Sequence, residues 1–317
     1  MTTPATTPAT TPATTPATTL PGHVTIREVS LRDGLQNEKP VSLQAKLDLL
    51  AAIAATGVTE VEATAFVSPS KVPAMADAPQ MAEALSGFPD IAFSALVASP
   101  NGARRAIAAG LTDVQFVVAA TDEFSRANVG RSSDEAVAQI AEITAIAHDA
   151  DTTVEVIIAT SWDCPFEGPT PTGRVVDIAA AARDAGADRL AIADTIGTTT
   201  PRRVTTLIDA LRPVIADLPL GAHFHNTRGT GLASAYAAVG AGVTRLDASI
   251  GGLGGCPFAP GATGNIATED LAYLLRDSGI DTGIDLDAAI HAADVARQVV
   301  GHDLPSSLLR AGDRLRK

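Results

Sequence analysis

Aromatic residues are almost missing from this chain: Trp, Tyr and Phe together make up 3% of its 317 residues. Its core must then be built from Ala, Val, Ile and Leu, and with 46% hydrophobic residues there is material for a large one. Cysteine is scarce as well. Cys164 and Cys256 are too few for a disulfide framework and suit a reducing compartment, so a cytoplasmic location is expected. An excess of positive charge is absent too. Lys and Arg number 23 against 36 Asp and Glu, a net charge of −13. That balance argues against nucleic acid or an anionic membrane as the main partner, since both need a basic surface. A local basic patch can still take an anionic cofactor. No apolar run has the length of a membrane span. The N-terminus shows neither the basic nor the apolar region of a secretory signal.

The chain opens instead on a Thr-Thr-Pro-Ala repeat with no apolar periodicity, a composition that buries too little to order itself. Residues 1–21 read as a low-complexity, disordered tail, and residues 22–317 as one folded domain.

Within that domain an apolar run, a turn and a helical stretch recur eight times. Strands are expected at 24–31, 60–66, 91–97, 114–119, 154–160, 189–193, 220–225 and 245–250. Helices are expected at 43–55, near 75–85, at 103–109, 134–150, 174–185, 201–215, 231–240 and 269–278, with a further one at 286–300. Pro201 falls where a first-turn proline is tolerated. Most of the strands are continuous runs of Val, Ile, Ala and Phe, as in parallel strands buried on both faces. Eight such units in roughly 250 residues fit an α/β (β/α)8 TIM barrel, here with a C-terminal helical extension. An open doubly wound sheet would need a Gly-rich phosphate loop after the first strand. That strand runs into Arg32-Asp33-Gly34-Leu35-Gln36 instead.

Barrel enzymes keep their chemistry at the C-terminal ends of the strands. Arg32 and Asp33 end the first strand, Glu62 lies in the second, Asp194 ends the sixth, and His223 and His225 are on the seventh. A glycine-rich loop follows the eighth and runs on to Asn265. Residues two apart on a strand share a face, so His223 and His225 are either a chelating half-site or two buried, hydrogen-bonded histidines. Asp33 adds a hard oxygen ligand from another strand, and mixed N and O ligands suit Mg2+, Mn2+, Co2+ or Zn2+. Arg32 reads as a strand-end ion pair or as a fixed cation for a developing oxyanion. Glu62 reads as its partner, and Asp194 as an active-site carboxylate or a turn cap. Cys256 lies among glycines and before a proline, in a loop placed to close over substrate, whereas a core cysteine belongs in a strand or helix. Cys164 is assigned to packing.

The stretch Arg32-Asp33-Gly34-Leu35-Gln36-Asn37-Glu38 resembles the opening motif of the 3-hydroxy-3-methylglutaryl-CoA (HMG-CoA) lyases. Val61-Glu62-Ala63-Thr64-Ala65-Phe66 and Asp194-Thr195-Ile196-Gly197 resemble further motifs of that family. So does Gly251-Gly252-Leu253-Gly254-Gly255-Cys256-Pro257-Phe258, taken with Gly264-Asn265. The likeness runs from about Thr25 to Gly283. It implies a TIM barrel that cleaves an HMG-CoA-like thioester to acetyl-CoA and acetoacetate by a retro-Claisen reaction. It implies a divalent cation, Mg2+ or Mn2+, held by Asp33, His223, His225 and Asn265. Arg32 would steady the enolate, Cys256 would act as acid/base, and Glu62 and Asp194 would be further catalytic carboxylates. Arg32, Gln36 and Arg228 would touch the substrate, an acyl-CoA. A homodimer, and a setting in leucine catabolism and ketone-body formation, are also implied.

One stretch departs from the family. Where it reads Asp-Thr-Tyr-Gly-Gln, this chain has Asn226-Thr227-Arg228-Gly229-Thr230. Arg228 replaces an aromatic wall with a cation, which leaves room for a related thioester such as citramalyl-CoA. A Claisen-condensing synthase of the same superfamily is the competing reaction. The cysteine loop and the short stretch after Gly283 weigh against it.

Overall fold

The structure is a computed structural model that describes residues 20–255 and 264–314, so most of the N-terminal repeat and Cys256 lie outside the described residues. In chain order the strands are β1 (Thr25–Glu28), β2 (Glu60–Phe66), β3 (Ala92–Val97), β4 (Asp113–Ala119), β5 (Thr153–Ala159), β6 (Asp163–Cys164), β7 (Gly168–Pro169), β8 (Arg189–Asp194), β9 (Leu220–Phe224) and β10 (Arg245–Ala248). Eight of them close into a parallel barrel in the order β1-β10-β9-β8-β5-β4-β3-β2. β6 and β7 form a small antiparallel hairpin that the hydrophobic pattern does not announce. Helices surround the barrel, and Leu286–Val300 is the expected C-terminal extension. The TIM-barrel expectation holds. No helix among the described residues is long and apolar enough to cross a membrane.

Each central strand sorts its side chains between two environments. On β4 and β5, Val114, Phe116, Val118, Val154, Val156 and Ile158 join the main aliphatic core, with Leu50, Ile178 and Leu207 of the surrounding helices. The alternate residues, Val117, Ala119, Ile157 and Ala159, belong to separate small clusters in the lumen. Below them the lumen is ionic. Arg27, 1% exposed, donates to the two carboxylate oxygens of Asp247 at 2.8 and 2.9 Å and also pairs with Glu155. Arg245 pairs with Glu60 and Glu155, and Arg189 with Asp113. Charges this deep are tolerable because each faces an opposite charge.

Two departures from the expected elements matter. β1 stops at Glu28, and the chain enters a single π-helical turn, Ser30–Gly34, with Gly34 N bonded to the Val29 carbonyl at 3.1 Å. The buried Glu28 carboxylate accepts from Ser30 N at 2.8 Å and Ile250 N at 3.1 Å, which ties this turn to the segment after β10. Arg32 and Asp33 therefore sit on a tight turn, a frequent device at functional sites, and not on an extended strand. The expected helix at 134–150 is two, Ser133–Val137 and Ile140–His148, preceded by Asp122–Val129. Gly130, at φ 77°, ends the first of the three, and a capping box of Ser132 and Glu135 starts the next.

The segment after β10 is anchored by Glu269, whose carboxylate oxygens both accept from Gly251 N at 3.1 Å. Burial pushes this carboxyl up to about 7 from 4.5. Because the folded value is the higher one, folding favours the protonated form. That contribution is complete below 4.5 and is lost as pH rises through about 7. Glu269→Gln keeps an acceptor and cannot ionise. Its melting temperature is expected to exceed the wild type's near pH ~8 and to lose that advantage near pH ~5. A difference that does not change with pH would contradict this.

Candidate metal centre and active-site cavity

Three segments deliver the site. The π-turn after β1 carries Arg32 and Asp33, β9 and its end carry His223 and His225, and the returning loop places Asn265 in an isolated antiparallel bridge with His225. The return requires glycine. A Cβ on Gly254, at φ 127°, would lie 2.6 Å from Asn265 Nδ2, and one on Gly264 would lie 2.2 Å from the Gly254 carbonyl oxygen. All five polar side chains are between 2% and 8% exposed, so what they face is fixed by the protein and not by bulk water.

Asp33 is the hub. Its Oδ1 accepts from Arg32 Nη1 at 2.6 Å and Gln36 Nε2 at 2.7 Å. Its Oδ2 accepts from Asn265 Nδ2 at 2.8 Å and lies 4.0 and 3.7 Å from Nε2 of His223 and His225. Burial alone would raise its pKa, but the Arg32 guanidinium and the two imidazoles hold the carboxyl well below the usual carboxylate range. Arg32 also donates Nε to Glu62 Oε2 at 2.5 Å. There burial prevails, and the Glu62 carboxyl is raised despite Arg32 and Arg27. The two partners of one guanidinium diverge because Asp33 also faces two histidines, whereas Glu62 also faces Asp247.

One ligand atom from each of Asp33, His223 and His225 lies within 4.8 Å of the others, close enough to converge on one ion. Asn265 Oδ1 is buried without a hydrogen-bond partner. A half-turn of that amide presents Oδ1 in place of Nδ2 towards Asp33. Two imidazole nitrogens, a carboxylate and an amide oxygen make a donor set that fits a divalent cation.

Asp247 completes the site, and sequence reasoning missed it. It is the register partner of His223 on the neighbouring strand, and its Oδ2 lies 3.1 Å from His223 Nδ1. Burial opposes ionisation of Asp247, but Arg27 and His223 keep it ionised, so it can only accept. With a cation bound, His223 would keep its hydrogen on Nδ1 for Asp247 and offer the Nε2 lone pair to the ion. The available signal was the alternation of Arg245 and Asp247 with Leu246 and Ala248 on an otherwise apolar strand. Asp247→Asn is expected to weaken Mn2+ affinity about 10–100-fold, the usual cost of losing such a support. Calorimetric titration measures it, and unchanged affinity would remove Asp247 from this role.

Other expected site residues fall differently. Both oxygens of Asp194 accept backbone hydrogens, from Thr198 N at 3.0 Å and Thr199 N at 2.9 Å, so this carboxylate holds the loop after β8. Arg228 is exposed and donates to the carbonyls of Ile196 and Gly197 at 2.8 and 3.2 Å, on the same loop. Neither lines the cavity at the barrel mouth. That cavity, of about 960 Å3, is lined by Arg32, Asp33, Gln36, His223 and His225, and also by Lys71, Arg105 and Arg131. Among the described residues Asp33 is the only carboxylate on its wall. Gly255, the neighbour of Cys256, lines it too, and its carbonyl accepts from Asn37 Nδ2 at 2.8 Å.

A closed parallel barrel that gathers these groups at one mouth is the framework of a metal-dependent barrel enzyme. Residues 23–296 match the HMGL-like family model. The (R)-citramalyl-CoA lyase of Chloroflexus aurantiacus is 40% identical over 300 residues, 91% of this chain and 95% of that protein. The hydroxymethylglutaryl-CoA lyase YngG of Bacillus subtilis is 34% identical over 92% of this chain and 97% of that one. Among solved structures, an HMG-CoA lyase from Acinetobacter baumannii in complex with coenzyme A and 3-methylmalate matches with a TM-score of 0.89. It is 36% identical, and the match covers 93% of this chain and 98% of that chain. The chain belongs to the HMGL-like family, and it is a carbon–carbon lyase.

Proposed function

We propose that the protein cleaves a 3-hydroxy-3-methylglutaryl-CoA-like thioester to acetyl-CoA and acetoacetate, with Asp33, His223, His225 and Asn265 holding Mg2+ or Mn2+. The observation that carries this reading is the charge of the cavity. In a chain of net charge −13, its wall sets Arg32, Lys71, Arg105 and Arg131 against, among the described residues, the single carboxylate of Asp33. An acyl-CoA brings phosphates along its length and, in this substrate, a carboxylate at its acyl end. Such a wall favours polyanions.

When bound, the cation supplies Lewis acidity that lowers the pKa of the substrate's C3 hydroxyl. Once that hydroxyl loses its proton, C3 becomes a carbonyl as the C2–C3 bond breaks, and the electron pair passes into the enolate of acetyl-CoA. Arg32, already fixed by Glu62 and Asp33 at 2.5 and 2.6 Å, meets the enolate oxygen without having to reorganise. Cys256, the acid/base, takes the hydroxyl proton as its thiolate and returns a proton to C2 as its thiol. Gln36 fixes Asp33 and reaches the cavity wall. Asp194 acts through the loop it holds.

A second substrate, citramalyl-CoA, is favoured by the 40% identity with a citramalyl-CoA lyase and by Arg228 at a tyrosine position of the HMG-CoA lyase motif. Measuring kcat/KM for both thioesters in the presence of Mn2+ decides between them. A preference of about tenfold or more for HMG-CoA is expected. The reverse preference would replace this substrate by citramalyl-CoA, and turnover of neither would overturn both.

A further inference from the structure

The barrel mouth has two unlike halves. Asp33, His223, His225 and Arg32 occupy the side of β1, β9 and the returning loop. On the side of β4, β5 and β8 the inward positions level with His223 and just below it are apolar, and the hydroxyl of Thr195, which lines the cavity one level higher, accepts from Thr160 N at 2.8 Å. Val117 is aligned with Ile157, and Ile157 with Ala191, across those three strands. One level nearer the mouth stand Ala159 and Ala193. Val117, Ile157, Ala159 and Ala193 all line the same cavity as the histidines. Beneath them Gln115 and Glu155 close the lumen. Ala193 is the register partner of His223, so the apolar surface begins one strand spacing, roughly 4.8 Å, from the ligand set.

We propose that this recess receives the 3-alkyl substituent of the acyl group, with Ile157 setting its depth. The inference rests on the 3-hydroxyacyl-CoA reading above. C3 of such a substrate is tetrahedral and carries the hydroxyl, the thioester arm, a carboxylate-bearing group and an alkyl group. With its oxygens turned towards Asp33, His223 and His225, one substituent must face β4, β5 and β8. A hydroxyl or charge there would lose its water and gain no partner, so the alkyl group takes that place. The alanines leave space, and the branched side chains of Ile157 and Val117 close it. Both HMG-CoA and citramalyl-CoA carry a 3-methyl group, so the recess serves either.

The test compares kcat/KM for 3-hydroxyacyl-CoA substrates that differ only in a 3-methyl or 3-propyl group. The wild type is expected to favour methyl by about tenfold or more. Ile157→Ala is expected to raise the propyl-to-methyl ratio about tenfold, with Mn2+ affinity unchanged. Ile157→Val, a milder change to a buried side chain, is expected to move the ratio in the same direction by less, so the test survives poor folding of the alanine variant. Turnover by the wild type with a ratio that neither variant moves overturns this inference alone. No turnover of any 3-hydroxyacyl-CoA by the wild type overturns the substrate reading and the inference with it.

Discussion

Replacing Arg32 with glutamine is expected to lower kcat by about 10²–10³, the usual cost of removing one preorganised donor to a developing oxyanion. The guanidinium divides its donors between Glu62 and Asp33, so it is held rigidly with no long side chain left to order on binding. Lysine should rescue little of the loss, since a single ammonium on a flexible stem cannot reproduce that fork. Mn2+ affinity should change far less than kcat, because Asp33 keeps its contact with Gln36. Parallel measurement of kcat and of the Mn2+ dissociation constant separates the two effects. A fall in affinity as large as the fall in kcat would mean that Arg32 acts only by placing Asp33.

His225→Ala should show the opposite split. The ring is 4% exposed, with Nε2 3.7 Å from Asp33 Oδ2 and Nδ1 without a hydrogen-bond partner, so its removal breaks no other polar contact. Loss of a direct ligand should cost more Mn2+ affinity than the ~10–100-fold typical of an outer support. Activity at low Mn2+ should nearly vanish and recover in part at high Mn2+. Persistence of wild-type affinity in this variant would place the ion elsewhere. His223→Ala is a less clean probe, because it also strips Asp247 of a partner.

How much of this was legible in the sequence depended on distance along the chain. The barrel was visible because parallel strands buried on both faces leave apolar runs such as Val156 to Ala159. The histidine pair was visible because alternation on a strand is a local rule. The support behind it was not. Arg27 and Asp247 are 220 residues apart and meet only when the barrel closes. Treating the strands as uniformly apolar hid the ionic floor of the lumen, whose members recur at every second residue. Strand propensity runs on through Val29 and Leu31, yet the carboxylate of Glu28 captures Ser30 N and the π-turn wins. Arg228 drew notice as a departure from the family motif. Its guanidinium is directed to the carbonyls of Ile196 and Gly197, which only the folded loop after β8 brings within reach.

Formation of acetyl-CoA from HMG-CoA and citramalyl-CoA, followed with chelator-stripped protein before and after Mn2+ is restored, tests the metal-dependent lyase most directly. No product is expected from the stripped protein. After restoration, one acetyl-CoA is expected for each thioester consumed, at a rate that saturates with Mn2+. Equal rates with and without the ion, or no acetyl-CoA with any divalent cation, would contradict it.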